Sequence, residues 1–116
     1  MSWSSERRDA RRLLRDEAVA VKIIASPENA QLVGLAVECS TVDISATGLR
    51  LLLDCKVTSG SHLALEVDMT DSEDCYFLVG QVMWVRETEA AGVFLVGIQL
   101  EEGSNFELDR WRKLFL

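Results

Sequence analysis

Five arginines lie close together near the beginning of the chain, at Arg7, Arg8, Arg11, Arg12 and Arg15. A guanidinium group presents a planar fork of donors that pairs with phosphate through two hydrogen bonds. It pairs in the same way with the O6 and N7 edge of guanine, and it stacks on flat rings. Because each charge-assisted hydrogen bond contributes about 1.5–3 kcal/mol, three or four of them would hold a small phosphorylated purine usefully.

A second segment with binding chemistry begins at Asp43 and continues through Ser45 to Gly48. A carboxylate accepts hydrogen bonds from the N1–H and N2–H₂ edge of guanine, and a hydroxyl both donates and accepts. Glycine allows the backbone to approach a ligand closely or to take a positive φ. Taken alone, the same pattern also describes an Asx or Ser turn that leads into a strand.

The charge of the chain is divided unevenly between its start and the rest. Residues 1–15 carry five Arg against Glu6 and Asp9, about +3, whereas the remainder carries seven basic and seventeen acidic side chains, about −10. A positive arm on a negative body favours a compact, local anion site. The net charge of −7 argues against DNA or RNA as a partner, because the body would repel a phosphate backbone.

The size and the rarer residues narrow the class of protein further. A chain of 116 residues is typical of one domain with its own core. Cys39, Cys55 and Cys75 form no C-x-x-C pair and His62 is the single histidine, so we expect reduced thiols, no metal site and no catalytic residues. The chain has no apolar run of about 20 residues and no secretory signal, which indicates a cytoplasmic protein without a membrane span.

Beyond residue 17 the apolar residues alternate with polar ones in short runs that turn signals separate. This period of two is typical of strands that are buried on one face. The predicted strand segments cover residues 18–23, 33–40, 49–53, 62–69, 76–85 and 94–100. Six or so short strands at hairpin spacing predict a small antiparallel barrel or sandwich.

The two ends of the chain differ from this middle part. Residues 104–116 begin with a capping-box pattern at Ser104 and continue with Leu108, Trp111, Leu114 and Phe115 at helical spacing. We therefore expect a short amphipathic helix that packs on the sheet. Residues 1–5 are predicted to be a frayed tail. Residues 6–15 are too charged to bury, and we expect them to form a mobile arm, either helical or extended.

Several motifs along the chain resemble the PilZ domain family, in order, in residue type and in approximate spacing, over residues 6–116. They include an R-x-x-x-R pair, a D-x-S-x-x-G segment, a Gly-x-Val-x-Trp segment and a Gly-Ile-Gln segment. In this sequence they are Glu6-Arg7-Arg8-x-x-x-Arg12, Asp43-Ile44-Ser45-x-x-Gly48-Leu49-Arg50-Leu51, Gly80-Gln81-Val82-Met83-Trp84-Val85 and Gly97-Ile98-Gln99-Leu100.

The resemblance implies a mainly β fold, a six-stranded antiparallel barrel over residues 18–116 with the helix at its C-terminal end and the arginine arm over residues 1–17. It also implies a receptor for the bacterial second messenger cyclic di-GMP, with no other cofactor. Arg8 and Arg12 match the R-x-x-x-R pair, and Arg7 matches an extra arginine often found before it. Asp43, Ser45 and Gly48 match the second motif.

Three alternatives stay open at this point. Arg7 with Arg11, or Arg11 with Arg15, has the same spacing as the preferred Arg8 and Arg12. Trp84 either lies beside the ligand or is an aromatic residue of the core or rim. Gly97 fits a packing role better than a ligand contact.

The resemblance also implies how such a protein acts. The arginine arm orders over cyclic di-GMP, and an unidentified partner protein reads the new surface, because the chain has no output domain of its own. Motility, biofilm formation and exopolysaccharide production are the processes that the family regulates. The alternative is a divergent PilZ-like interaction module that binds no nucleotide.

Overall fold

The computed structural model describes residues 13–14, 16–28, 30–70, 72–102 and 107–116. These residues form seven strands, one short 3₁₀ helix at Ala30–Leu32 and one α-helix. The strands are β1 (Leu13–Leu14), β2 (Ala18–Ala25), β3 (Ala36–Ile44), β4 (Gly48–Leu53), β5 (His62–Asp68), β6 (Cys75–Glu87) and β7 (Phe94–Leu100), and the helix is α1 (Glu107–Lys113).

The six longer strands close into an antiparallel barrel. Their order is β3-β2-β5-β6-β7-β4, and an additional pairing of β3 with β4 completes the ring. Closure gives each of these six strands a partner on both sides, so the described strands present no long open edge. The predicted six-stranded antiparallel barrel with a C-terminal helix is therefore confirmed.

Alternation along the strands fills the barrel interior. In β2 the inward residues Val19, Val21 and Ile23 are at most 2% exposed, while the residues between them face solvent. The other strands contribute leucines and valines in the same manner, and the resulting core is continuous. Burying one such side chain contributes about 1.5–3 kcal/mol, so the core is the main source of stability.

The structure differs from the sequence prediction where β3 begins. Residues 33–35 were predicted to start this strand, but they follow the 3₁₀ helix as a turn in which Gly34 has a φ of 92°. Val33 and Leu35 are 47% and 38% exposed there. A positive φ interrupts an extended run, so the strand begins only at Ala36 and continues to Ile44.

Helix α1 is shorter than the predicted helix over residues 104–116, since it covers Glu107–Lys113. Ser104, the predicted cap, lies outside the described residues. Trp111 is fully buried, and its ring lies 5.6 Å from the rings of both Tyr76 and Phe115. The helix therefore packs on the barrel as expected. In the described part of the chain, no helix has the length and apolar character needed to cross a bilayer.

Candidate functional site

The arginine cluster itself lies outside the described residues, which omit residues 1–12 and Arg15. The short strand β1 between Arg12 and Arg15 is described, and it pairs antiparallel with the end of β3. In this pairing Leu14 is opposite Asp43. The backbone next to the cluster therefore runs beside the second motif.

Ser45 holds the turn that joins β3 to β4. Its side chain is fully buried, and its backbone N–H donates to the Gly48 carbonyl at 2.8 Å. The Ser45 hydroxyl also donates to that carbonyl at 3.1 Å and accepts from the backbone N–H groups of Thr47 and Gly48 at 3.3 and 3.1 Å. These contacts close a compact turn of the kind that Ser favours.

Two other elements fix the same turn in place. The indole N–H of Trp111 on α1 donates to the Ser45 carbonyl at 2.8 Å. The backbone N–H of Leu100, at the end of β7, donates to the Thr47 carbonyl at 2.8 Å. The C-terminal helix and the last strand therefore determine the position of the motif.

Gly48 is required by close packing and not by a positive φ. A Cβ added at this position would overlap the backbone carbonyl oxygen of Ile98 on β7, and a strand carbonyl does not give way easily. Among the described glycines, the positive φ values belong to Gly34, Gly60 and Gly92. The sequence offered two reasons for a glycine at position 48, a positive φ or a close backbone approach. The structure shows a close approach, but the neighbour is strand β7 and not a ligand.

Asp43 forms an ion pair with Arg50 on the neighbouring strand. The two residues are opposite each other in the β3–β4 register, and the Arg50 Nε–H donates to Asp43 Oδ2 at 2.7 Å while Nη2 donates to the same oxygen. The Asp43 side chain is 1% exposed and that of Arg50 is 33% exposed. The hydrogen bond to Asp43 raises the pKa of Arg50 above its usual value, so the guanidinium stays charged.

The pair belongs to a row of residues that crosses the outer wall of the barrel. Arg50 is opposite Gly97 on β7, and Gly97 is opposite Trp84 on β6. A register shift between Val82 and Trp84 turns the indole onto this wall. The row therefore brings together the carboxylate of Asp43, the guanidinium of Arg50 and the aromatic ring of Trp84.

Trp84 lies over Gly97, where a Cβ would be 2.5 Å from Cζ2 and Nε1 of the indole. The absent side chain makes room for the ring, so the packing role expected for Gly97 is confirmed. The Arg86 guanidinium lies 4.6 Å from the centre of the same ring. A base could stack on that ring face only after Arg86 moves aside. Whether Trp84 contacts a ligand stays a prediction.

A surface depression of about 200 Å³ lies between this row and the motif turn. It is mostly polar in character, as expected for a site that binds a nucleotide and not a lipid. Its lining consists of Thr47, Gly48, Met83, Trp84, Gly97, Ile98 and Gln99. The structure thus brings Gly48 and Trp84, predicted from separate motifs, into one depression, with Asp43 and Arg50 beside it.

Two residues of this region were not among the predicted site residues. Arg50 follows the motif by two positions, and the buried Leu49 and Leu51 on either side direct it outward. Gln99 has the same outward direction between buried Ile98 and Leu100 and is opposite Gly48. In a strand with period-two alternation, a polar residue between two buried apolar residues faces outward. Applying this rule to the strands next to the motif would have identified both residues.

A larger cavity of about 390 Å³ lies on the outer face of β2, β5 and β6. It is mainly apolar, with Ala20, Ala64 and Phe77 in its lining. The motif residues do not contribute to it. Lys22 is the one cationic side chain in this lining. Because the polar depression adjoins the second motif instead, it is the better candidate for nucleotide binding.

Three possible metal ligands also come together on the described surface, although the sequence predicted no metal site. The ligand atoms of Glu66, Asp68 and Cys75 lie within 4.8 Å of one another. Desolvation, together with Asp68 and Glu66, raises the pKa of Cys75 to about 12. Exposed acidic groups of this kind are common without a bound ion, so the cluster is not assigned as a metal site.

The closed barrel, the motif turn that α1 fixes and the polar depression on the outer wall define a small β-barrel with a candidate ligand site on its wall. A family model described as the PilZ domain matches residues 6–112. The chain therefore belongs to the PilZ domain family, and the resemblance noted in its motifs is confirmed. No curated protein sequence matches the chain.

Solved structures with this fold come from several bacteria. The Bacillus subtilis inhibitor of motility, MotI/DgrA, matches with a TM-score of 0.69 and 16% identity, over 93% of this chain and 49% of that chain. The PilZ domain with c-di-GMP of YcgR from Escherichia coli matches with a TM-score of 0.65 and 16% identity, over 94% of this chain and 88% of that chain.

The PilZ domain of CeSA from a cellulose-synthesizing bacterium matches with a TM-score of 0.54 and 13% identity, over 86% of this chain and 92% of that chain. At such low identities the likeness shows the fold. This chain spans about half the length of MotI/DgrA.

Proposed function

We propose that this protein is a receptor for cyclic di-GMP. In this proposal the arginine-rich arm, through Arg8 and Arg12 with Arg7 before them, holds the phosphates and guanine edges of the ligand. Asp43, Ser45 and Gly48 form the opposing part of the site on the barrel wall, and Trp84 lies at its edge. Arg11 and Arg15 are the alternatives if the register of the arm differs.

One observation carries the proposal: the chain has both PilZ ligand motifs in the family order. The geometry of the described residues supports it. Strand β1, between Arg12 and Arg15, pairs alongside Asp43, and a polar depression adjoins the second motif. The YcgR domain, a structure of the same fold, was solved with c-di-GMP.

We further propose that the protein acts as an adaptor in the cytoplasm and not as an enzyme. Ligand binding orders the arm against the barrel, and a separate partner protein reads the changed surface. Control of motility is the favoured output, since MotI/DgrA is an inhibitor of motility. Biofilm formation and exopolysaccharide production are the other outputs that the family suggests.

The direct test is a calorimetric titration with cyclic di-GMP at modest salt. We expect micromolar or tighter binding, and no binding in the micromolar range would refute the receptor function. The double variant Arg8→Ala/Arg12→Ala should lose about 3–6 kcal/mol, which is at least a hundredfold in affinity, because each arginine supplies at least one charge-assisted hydrogen bond.

A matched control removes two arginines from elsewhere on the chain. Arg110 and Arg112 lie on α1 and pair with Glu107 and Glu102. Their double alanine variant changes the net charge equally but should bind as the wild type does. If Arg8→Ala/Arg12→Ala binds normally, the pairs Arg7 with Arg11 and Arg11 with Arg15 are tested next.

The second candidate is a PilZ-like interaction module that binds no nucleotide. A specific observation favours it: Ser45 and Gly48 have structural roles in the turn that would preserve them without a ligand. The same titration separates the two candidates. Failure to bind cyclic di-GMP by a folded protein would select the interaction module.

A further inference from the structure

Asp43 is poorly placed to contact a ligand directly. Its side chain is 1% exposed, and its Oδ2 atom accepts from both Nε and Nη2 of Arg50. Arg50 lies on the same outer wall and keeps 33% of its side chain exposed. The polar group that this pair presents to solvent is therefore the guanidinium and not the carboxylate.

The guanidinium still has a recognition edge after it pairs with Asp43. Arginine can form two parallel hydrogen bonds along its Nε/Nη2 edge or along its Nη1/Nη2 edge. Asp43 occupies the first edge. The second edge matches two adjacent acceptors, and O6 and N7 of guanine form such a pair, whereas adenine has an amino group in place of O6.

The position of Arg50 agrees with this role. It is opposite Gly97 in the β4–β7 register, and Gly97 lines the polar depression together with Gly48 and Gln99. Because cross-strand neighbours lie about 4.5–5.5 Å apart at Cβ, a long arginine side chain reaches the edge of a ring placed in the depression. Asp43 is opposite Arg50 on β3 and therefore lies one strand further from Gly97 than Arg50 does.

We propose that Arg50 reads the O6 and N7 edge of one guanine and that Asp43 is a positioning residue that orients Arg50. The inference rests on the proposed cyclic di-GMP function and assigns it a base-recognition residue. Arg50 would then be the residue that selects guanine over adenine at this position. Direct contact of Asp43 with the N1 and N2 edge of guanine is the rival assignment.

Ligand analogues that lack single atoms distinguish the two assignments. The 7-deaza analogue of cyclic di-GMP lacks N7 and tests contact with Arg50. Cyclic di-IMP lacks the N2 amino group but keeps O6 and N7, so it tests contact with Asp43. For each protein, the quantity measured is the ratio of the analogue's Kd to the Kd of cyclic di-GMP.

The variants are Arg50→Lys, which keeps the charge but not the fork, and Asp43→Ala with its conservative counterpart Asp43→Asn. Arg112→Lys on α1 is the matched control. We expect the 7-deaza ratio of the wild type to exceed that of Arg50→Lys by about tenfold, as one bidentate base contact is typically worth. Asp43→Ala should reduce this ratio in the same direction, and Asp43→Asn, which keeps an acceptor oxygen, should restore part of it.

The cyclic di-IMP ratio should be the same in the wild type and in Asp43→Ala. A ratio that is large in the wild type and disappears in Asp43→Ala would assign the guanine contact to Asp43 and overturn the inference. Equal 7-deaza ratios in the wild type and Arg50→Lys would overturn it as well, while leaving the receptor function intact. If the folded wild type binds no cyclic di-GMP, the proposed function and this inference both fail.

Discussion

Replacing Gly97 with alanine should displace the Trp84 indole from the barrel wall. The added Cβ would lie 2.5 Å from Cζ2 and Nε1 of the ring, whereas atoms in ordinary contact are about 3.5–4.0 Å apart. The ring must therefore move outward by about 1 Å or change its rotamer. Overpacking costs about 1–3 kcal/mol, and we expect the lower part of this range because the ring is partly exposed and can move.

A double-mutant cycle measures this contact specifically. Urea unfolding of the wild type, Gly97→Ala, Trp84→Ala and the double variant gives the four free energies of unfolding. In the Trp84→Ala background no ring meets the new methyl group, so Gly97→Ala should cost nothing there. It should even stabilise slightly, because alanine is favoured over glycine within a strand by about 0.5–1 kcal/mol.

The expected coupling between the two positions is therefore about 1–2 kcal/mol. If Gly97→Ala lowers the free energy of unfolding equally in both backgrounds, the proposed contact between position 97 and the Trp84 indole is refuted. Tryptophan fluorescence gives a second readout, since displacement of the ring from the wall and from Arg86 changes its environment. Trp84→Phe identifies the share of the signal that comes from this ring among the three tryptophans.

Two further predictions concern the turn support and the thiols. Trp111→Phe keeps the aromatic packing but removes the N–H that donates to the Ser45 carbonyl at 2.8 Å. The free energy of unfolding measured in urea should therefore fall by about 1–3 kcal/mol. An unchanged value would contradict the role of α1 in holding the motif turn. Burial, followed by the charges of Cys55 and Asp54, raises the pKa of Cys39 from 9.0 to about 12. The thiol therefore loses its proton at lower pH in the unfolded chain, and the free energy of unfolding should decrease as pH rises from about 9 toward 12. In urea unfolding at several pH values, Cys39→Ala should have a shallower decrease than the wild type. Identical slopes for the two proteins would contradict the raised pKa of Cys39.

The strands were predictable because the barrel buries one face of each. Val19, Val21 and Ile23 alternate in the sequence and point inward in β2, and residues 94–100 coincide with β7. The failure at Val33 and Leu35 has a physical cause. They alternate with their neighbours as strand residues do, but Gly34 takes a φ of 92°, so residues 33–34 form a turn and β3 begins only at Ala36.

The motif residues could be identified from the sequence, but their contacts could not. The sequence identifies Asp43, Ser45 and Gly48 as a motif, yet the partner of Asp43 depends on the β3–β4 register, which places it opposite Arg50 after a shift between Thr41 and Asp43. Such irregularities leave no clear mark in the alternation of residues. The side chains that share one row across four strands therefore became visible only in the folded barrel.

The Asp43–Arg50 pair is difficult to explain by stability alone. Removing a carboxylate from water costs free energy. Because the arginine of this ion pair is one-third exposed, the attraction between the two charges offsets little of that desolvation penalty. Replacing both residues with valine, which suits the outer face of a strand, should therefore leave the free energy of unfolding unchanged or increase it. The same variant should lose affinity for cyclic di-GMP, because it lacks the guanidinium that the pair holds in place. A large loss of stability with normal binding would mean that the pair serves the fold, and retention of both properties would leave it without either role.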